Sequence, residues 1–381
     1  MKTSANWSYP TEIRIGRGRI EELAEQCRAQ GMERPLLVTD RHLVGMAITR
    51  TAREVLSDGG LQHAVFSEVD PNPTERHVQA ALAAFRAGGH DGVVALGGGS
   101  AMDIGKCVAF MGGQSLPLWH FSWGTEGWRD ADPNGIYPVI ALPTTAGTGA
   151  EVGYACVITE EQSHSKKAIY HPQLLPNVVI CDPELTVGMP RTITAGSGLD
   201  AFAHCLESYC TSLYHPMGQG IAIEGMRLIK EFLPRAYRDP VDLEARINMM
   251  SASIMGAVAR EKGVGAMHAL SHPIGSLFNT HHGTTNAVVM PMVLAFNRKV
   301  IEKKIDRLAS YLDIPGGFDG FHDFVLGFRQ TLGIPENLTQ LGVPRDQISA
   351  LVPLVLKDPT GRTNPVKLTE ENVPLLLEAC F

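Results

Sequence analysis

Two rhythms of apolar and polar positions divide the chain. In the first half, short apolar runs rich in β-branched residues alternate with stretches whose apolar positions fall three and four apart. The runs "PLLVTD" (35–40), "HAVFSEV" (63–69), "DGVVALGGG" (91–99), "YPVIALPTT" (137–145) and "NVVICDP" (177–183) read as strands. Between them, "RIEELAEQCRAQG" and "ERHVQAALAAFRAGG" close on glycine and read as helices. This alternation predicts a parallel sheet with helices on both faces. From about Thr192 the strand runs vanish, and "GLDAFAHCLESYCTSL", "GIAIEGMRLIKEFLPRAY", "LEARINMMSASIMGAVA" and "TEENVPLLLEAC" carry helical spacing. Pro and Gly cluster in "VGMPRTITAG" (187–196), which sets the expected boundary: an α/β domain over residues 1–189 and an all-α domain over 190–381. The stretch 119–135 holds three of the four tryptophans and reads as a loop at the edge of the first domain.

Bulk properties narrow the function classes. A length of 381 residues exceeds what one growing core supports, in keeping with two domains. The chain is 44% apolar and 19% charged, an ordinary globular balance. Its net charge of -7 comes without a block of like charge, so neither nucleic acid nor an anionic membrane is the expected partner. No apolar run approaches the ~20 residues that span a bilayer. "MKTSANWSYPTEI" lacks the apolar stretch of a secretory leader. Seven scattered cysteines with no C-x-x-C pair predict reduced thiols and a cytoplasmic setting.

Chemistry gathers first around glycines. In "VVALGGGSAMDIGK" (93–106) a buried strand meets three glycines and then a helix. Glycines admit close approach to a phosphate, and a helix N-terminus offers unpaired N–H groups. The spacing is not G-x-G-x-x-G, and Ser100 with Asp103 also reads as a plain capping box. "LPTTAGTGAE" (142–151) again ends a strand in small and hydroxyl-bearing residues. Both loops belong at strand carboxyl ends, where doubly wound sheets place ligands. Asp40 ends "LLVTD"; it suits a ribose diol and would repel a 2′-phosphate, or it caps the next segment. Together these features favour a bound nucleotide over a plain tight turn between strand and helix.

A second concentration is "HALSHPIGSLFNTHHG", with His268, His272, His281 and His282 inside sixteen residues. His268 and His272 are spaced i, i+4, as are Asp200 and His204 in "GLDAFAHCLE", so each pair shares one helical face. A capping Asp and a core His explain the second pair taken alone. A carboxylate with three imidazoles suits Fe(II), Zn(II) or a similar ion. Several histidines in an apolar helical domain are costly without such a partner.

These motifs identify the family. The chain resembles the iron-containing (group III) alcohol dehydrogenases, which include lactaldehyde reductase and propanediol dehydrogenase. The resemblance runs almost end to end, through "VTD", "DPNPT", "GGGSAMDIGK", "PTTAGTGAEV", "LLPNVVICDPELT", "GLDAFAHCLESY", "HALSHPIGSLFNTHHG" and "TNP". It implies a Rossmann-like dinucleotide-binding domain before a helical metal-binding one, with metal ligands at Asp200, His204, His268 and His282. It implies a histidine beside them, near the nicotinamide, at His272, and a non-ligand at His281, where relatives often carry proline. It places the cofactor on Asp40, Asn72, Gly98, Gly99, Ser100, Thr144, Thr145, Thr148 and Lys166, with Lys167 as the competing lysine. The implied cofactors are Fe(II), with Zn(II) second, and NAD(H) ahead of NADP(H). The implied assembly is a homodimer.

The expected reaction is hydride transfer between nicotinamide and a small primary alcohol or aldehyde whose oxygen the metal polarises. His272 either passes the alcohol proton toward solvent or orients a ligand. Departures from relatives concern the substrate. Arg260, Glu261 and Lys262 bring charge before His268, Arg362 approaches from "GRTNP", and Gly153 and Ala155 open space. A helix running from Arg260 to His268 would aim the guanidinium along the pocket wall toward an anionic group on the substrate; the alternative is an exposed, solvated "REK" turn. Two other functions share this architecture: a dehydroquinate-synthase-like NAD- and metal-dependent lyase, and a non-catalytic binding protein.

Overall fold

The computed structural model describes residues 11–162 and 165–381; the leader reading of residues 1–10 lies largely outside them. The described residues divide into two compact units, one from 11–145 and 149–188, the other from 146–148 and 189–381.

Among the described residues, the first unit is built on eight strands: β1 (Glu12–Ile15), β2 (Pro35–Val38), β3 (Ala64–Phe66), β4 (Gly92–Gly97), β5 (Val139–Pro143), β6 (Ala155–Glu160), β7 (Ser165–Tyr170) and β8 (Val178–Cys181). Helices α1 (Leu23–Ala29), α2 (Ala47–Asp58), α3 (Glu75–Ala87) and α4 (Gly99–Met111) cross between them. Six strands form one sheet in the order β1-β8-β5-β4-β2-β3, with every pairing parallel. Its central strands β2, β4, β5 and β8 are buried along their whole length, as continuous Val/Ile/Leu/Ala runs covered on both faces should be. The five strand runs read from the sequence are all present. β1 escaped notice because it is four residues long, and β6–β7 because it is a partly exposed antiparallel hairpin outside the main sheet. The tryptophan-rich stretch forms three short 3-10 turns, Leu118–Phe121, Gly127–Asp130 and Pro133–Gly135.

Among the described residues, eight α-helices make the second unit: α5 (Arg191–Cys210), α6 (Pro216–Arg238), α7 (Leu243–Ala259), α8 (Ala266–Phe278), α9 (His282–Tyr311), α10 (Gly317–Thr331), α11 (Ile348–Lys357) and α12 (Asn372–Ala379). α5 is buried on all sides from Thr194 to Cys210, which makes it the axis of the unit. Gly283 explains how α9 reaches it: a Cβ there would stand 2.2 Å from the Gly196 carbonyl oxygen and 2.7 Å from the Asp200 Cβ. Backbone contact at that point sets His282, the preceding residue, beside Asp200.

The "REK" stretch differs from its sequence reading. α7 stops at Ala259, residues 260–262 form a 3-10 turn, and Gly263 takes φ 95°, so no helix runs from Arg260 to His268. Nor is the turn exposed. Lys262 is 2% exposed, and its ammonium donates to the Ser208 carbonyl at 2.8 Å, the Thr211 carbonyl at 2.6 Å and the Thr211 Oγ1 at 3.0 Å. It caps the carboxyl end of α5 rather than supplying charge to a pocket. Burial and the neighbouring Lys304 ammonium push its pKa down to about 7. Lys262→Met strands buried carbonyls, so the unfolding free energy of this unit should fall by about 2 kcal/mol in a denaturant titration. Between pH 7 and pH 10 the unfolded chain binds a proton at this lysine that the folded one releases. Lys262 therefore contributes stability that grows with pH across that window, a slope the methionine variant should lose.

Candidate active site

The metal-ligand candidates come from three helices of the second unit. Asp200 and His204 stand one turn apart on α5, His268 and His272 one turn apart on α8, and His282 opens α9. The Asp200 Oδ1 is the hub: it lies 3.5 Å from the His282 Nε2 and 4.0 Å from the Nε2 atoms of both His204 and His268. Asp200, His204 and His268 are buried, and their ligand atoms lie within 4.8 Å of one another. The capping-Asp, core-His explanation of the first pair fails, because Asp200 lies mid-helix.

The surroundings fix which nitrogens face Asp200. Glu207 accepts the His268 Nδ1–H at 2.6 Å and the Met267 backbone N–H at 2.7 Å, leaving the His268 Nε2 lone pair toward Asp200. Burial, with the Arg260 guanidinium next in weight, holds His204 well below the usual histidine range, so its imidazole is neutral. Thr148 donates to the Asp200 Oδ2 at 3.5 Å, and the Asn286 Nδ2 donates to Oδ1 at 2.9 Å. Glu207 was not singled out in the sequence, although it follows His204 by three residues and Asp200 by seven on the same face of α5.

His272 is held differently. Its Nδ1 donates to the Asp358 Oδ2 at 2.9 Å, and its ring stacks on that of His282 with centroids 5.3 Å apart. Burial opposes ionisation of Asp358, but hydrogen bonds from His272 and Thr360 overcome it and hold its carboxyl below the usual range. An ionised Asp358 only accepts, so neutral His272 keeps Nε2 as its proton-accepting atom. Asp358 also escaped the sequence reading, where "KDPT" looks like an ordinary helix exit. His281 acts instead as the N-cap of α9, its Nδ1 accepting the Thr284 N–H at 3.3 Å.

In the first unit, the cofactor candidates collect at the carboxyl ends of three adjacent strands. Asp40 follows β2, Gly98–Ser100 follow β4, and Thr144–Thr145 follow β5. α4 starts at Gly99 with Gly98 as its N-cap and no capping side chain, so the Ser100–Asp103 capping box does not form; Asp103 instead accepts the Val157 N–H at 3.1 Å. A helix start without a side-chain cap is one that can receive an anion. Space there is tight: a Cβ on Gly98 would lie 3.2 Å from the Thr145 Cγ2, and Gly97 takes φ 151°. Asp40 fills its capping reading. Its Oδ1 caps the His42 and Leu43 N–H groups at 2.8 and 2.9 Å, while its Oδ2 faces Gly97, 3.7 Å from a Cβ built there. Lys106, the end of the "GGGSAMDIGK" motif, is buried and donates to the Ala150, Gly153 and Ala155 carbonyls, at 2.9, 3.3 and 2.5 Å, which pins the "AGTGAEV" loop.

Asn72 and Lys166 are linked through β6. Lys166 pairs with Thr159, whose N–H donates to the Pro73 carbonyl at 2.8 Å, and Asn72 itself adopts φ 56°. Lys167 is occupied elsewhere, bonded to Glu160 at 2.6 Å with its ammonium 5.4 Å from the Trp119 ring centre. Arg260 is half-buried and Arg362 is exposed, on the turn Pro359–Thr363 that follows Asp358.

A set of one carboxylate and three imidazole nitrogens, two of the imidazoles buried and one of these oriented by a carboxylate, fits a first-row divalent ion. The match to known proteins is of the same kind. Residues 10–183 match the model of the iron-containing alcohol dehydrogenases, and residues 194–381 match the model of the C-terminal part of that family. The chain belongs to the iron-containing alcohol dehydrogenase family. It is therefore an oxidoreductase of a family that uses iron and NAD, which sets aside the lyase and the non-catalytic binder. The chain is 38% identical to 4-hydroxybutyrate dehydrogenase of Cupriavidus necator, over 97% of this chain and 98% of that one. A crystal structure of 1,3-propanediol oxidoreductase superposes with a TM-score of 0.93 at 30% identity, covering 99% of this chain and 100% of that one. Sulfoacetaldehyde reductase of Bifidobacterium kashiwanohense, solved in complex with NAD+, superposes at 0.89 with 27% identity, covering 99% and 98%. No described helix is long and apolar enough to cross a membrane.

Glu207 gives the cluster a direct test. Glu207→Gln keeps the shape but disturbs the acceptor that orients His268. Affinity for Fe(II) or Co(II), measured by chelator competition, should drop about 10- to 100-fold with little change in circular dichroism.

Proposed function

We propose that this protein is an iron-dependent, NAD(H)-linked dehydrogenase of short ω-hydroxy acids, acting in reverse on the matching aldehyde acids. In this reading Asp200, His204, His268 and His282 hold Fe(II), with Zn(II) as the second candidate. Asp40, Asn72, Gly98, Gly99, Ser100, Thr144, Thr145, Thr148 and Lys166 hold the dinucleotide. When bound, the ion would supply Lewis acidity toward the alcohol oxygen and the dinucleotide would supply the redox chemistry. The chain's own residues do the rest. Asp358 fixes the His272 tautomer, His272 receives the alcohol proton at Nε2, and its partly exposed ring hands it toward solvent. The second carboxylate oxygen of Asp40 receives the ribose hydroxyl and disfavours a 2′-phosphate.

The observation that carries the substrate class is the likeness to a relative named for 4-hydroxybutyrate, 38% identical over 97% of this chain. A structural neighbour named for an aldehyde bearing a sulfonate supports the same class. Arg260, half-buried on the turn that follows α7, is the cation assigned here to the anionic end of a substrate whose other end is a hydroxyl. Arg362, exposed, is the lesser candidate. Seven unpaired, buried cysteines support a cytoplasmic setting, and a homodimer rests on the family resemblance. A panel of 4-hydroxybutyrate and 1-butanol, each with NAD+ and NADP+, tests the reading. The hydroxy acid with NAD+ should give the highest kcat/KM, at least tenfold above 1-butanol; preference for the neutral alcohol or for NADP+ would contradict it.

A further inference from the structure

The tryptophan-rich stretch crosses the outer edge of β7. Ser122 forms a bridge with Ile169, and the Trp123 N–H donates to the Ala168 carbonyl at 2.7 Å. Rings from this stretch fall on both faces of the β6–β7 hairpin. On the inner face, Phe121 meets Phe110 of α4 edge-on with centroids 4.9 Å apart, and the Trp119 ring centre lies 5.4 Å from the Lys167 ammonium. On the outer face, Trp123 and Trp128 meet the Tyr170 ring edge-on at 4.8 and 5.9 Å.

Strand geometry lets this clamp distinguish two lysines. Neighbouring side chains on a strand point to opposite faces, so Lys166 and Lys167 cannot share one. Lys167 pairs across the hairpin with Ile158, and Ile158, Cys156 and Ile169 on that inner face are fully buried. An ammonium on an apolar face needs a partner. Glu160 supplies one at 2.6 Å, and the Trp119 ring covers it. Lys166 shares the outer face with Thr159, Ala168 and Tyr170. There it stands opposite Thr159, whose N–H reaches the carbonyl of Pro73, the neighbour of Asn72, at 2.8 Å. β6 is tied to Asp103 of α4 and to Pro73, whereas β7 is tied at its other edge by the tryptophan-rich stretch. A slip of β7 by one residue would exchange the two lysines.

Resting on the reading of Lys166 as a dinucleotide ligand, we propose that Trp119 and Glu160 are positioning residues for cofactor binding: by holding Lys167 on the inner face of the hairpin, they fix Lys166 on the face that receives the anionic dinucleotide. The tryptophan-rich stretch thus serves the cofactor site through Lys166.

NADH is the probe, titrated by its own fluorescence against the unaltered protein and its variants, with circular dichroism to confirm folding. Lys166→Ala should weaken NADH binding about 10- to 100-fold, the loss of a charge-assisted contact. Trp119→Ala should weaken it about 5- to 10-fold, and Trp119→Phe, which keeps a ring over Lys167, by no more than about twofold. In a Lys166→Ala background Trp119→Ala should cost no more than about twofold, because the residue it positions is gone. A purely structural loss would persist in that background and would not be rescued by phenylalanine. If Lys166→Ala weakens NADH binding and folded Trp119→Ala does not, or if the two losses multiply in the double variant, the positioning role is refuted and Lys166 keeps its place. If Lys166→Ala binds NADH as tightly as the unaltered protein, the reading of Lys166 fails and the proposal falls with it. Should Trp119→Ala not fold, Glu160→Ala loosens the same lysine from its other side. It should weaken NADH binding about 3- to 10-fold with Lys166 present and not without it, and an unchanged affinity refutes the proposal.

Discussion

Replacing His268 or His282 by alanine should cost at least ~10³-fold in kcat and most of the bound metal. Each removes one imidazole from around the Asp200 Oδ1, where the Nε2 atoms now stand 4.0 and 3.5 Å away. Lewis-acid stabilisation of an alkoxide is worth several kcal/mol, and about 1.36 kcal/mol is tenfold in rate. His281→Ala, one residue away, should keep both metal and activity. It removes the N-cap of α9 instead, so its cost should appear as about 1 kcal/mol of stability. Metal analysis and turnover of the three purified variants check this. A fully loaded, fully active His282 variant would overturn the ligand set.

The contrast between His281 and His282 shows what a sequence can and cannot reveal. Both stand in the same "HHG" triplet, and only matching to the family's pattern separated them. The structural reason is Gly283, whose missing Cβ lets α9 touch α5 and turns His282, not His281, toward Asp200. Helical spacing made the Asp200–His204 and His268–His272 pairs legible, and periodicity found the strands whose ends carry Asp40, Gly98 and Thr144. Glu207 and Asn286 shared faces with ligands and were within reach of the same logic, yet a buried Glu or Asn has no motif of its own. Asp358 was out of reach: it meets His272 across 86 residues, a contact only packing creates. The "REK" stretch fits neither the helix nor the exposed turn that its sequence allows, because Gly263 breaks the helix and because Lys262 is drawn inward by carbonyls at the end of α5.

Arg260→Ala should lower kcat/KM for 4-hydroxybutyrate by about 30- to 150-fold, corresponding to ~2–3 kcal/mol for a charge-assisted contact in a partly dry site. For 1-butanol it should change little. The variant separates a substrate contact from a general electrostatic effect. If Arg260 acted only by keeping His204 neutral, both substrates would lose activity together. Arg362→Ala, on an exposed turn, should change either substrate by no more than a few fold. Equal losses on both alcohols in the Arg260 variant would reject the anionic substrate class and leave the dehydrogenase chemistry in place.

If an ion held by Asp200, His204, His268 and His282 makes this chain an NAD-linked dehydrogenase of a hydroxy acid, turnover must follow the metal. The deciding measurement is NAD+ reduction by 4-hydroxybutyrate, followed at the NADH absorbance, in protein stripped by a chelator and then titrated with Fe(II) under anaerobic conditions. Activity should be absent in the stripped protein and return in proportion to added iron, saturating at one ion per chain. Undiminished turnover in protein whose metal content has fallen below a tenth of an ion per chain, on the order expected for trace carry-over, would contradict the account.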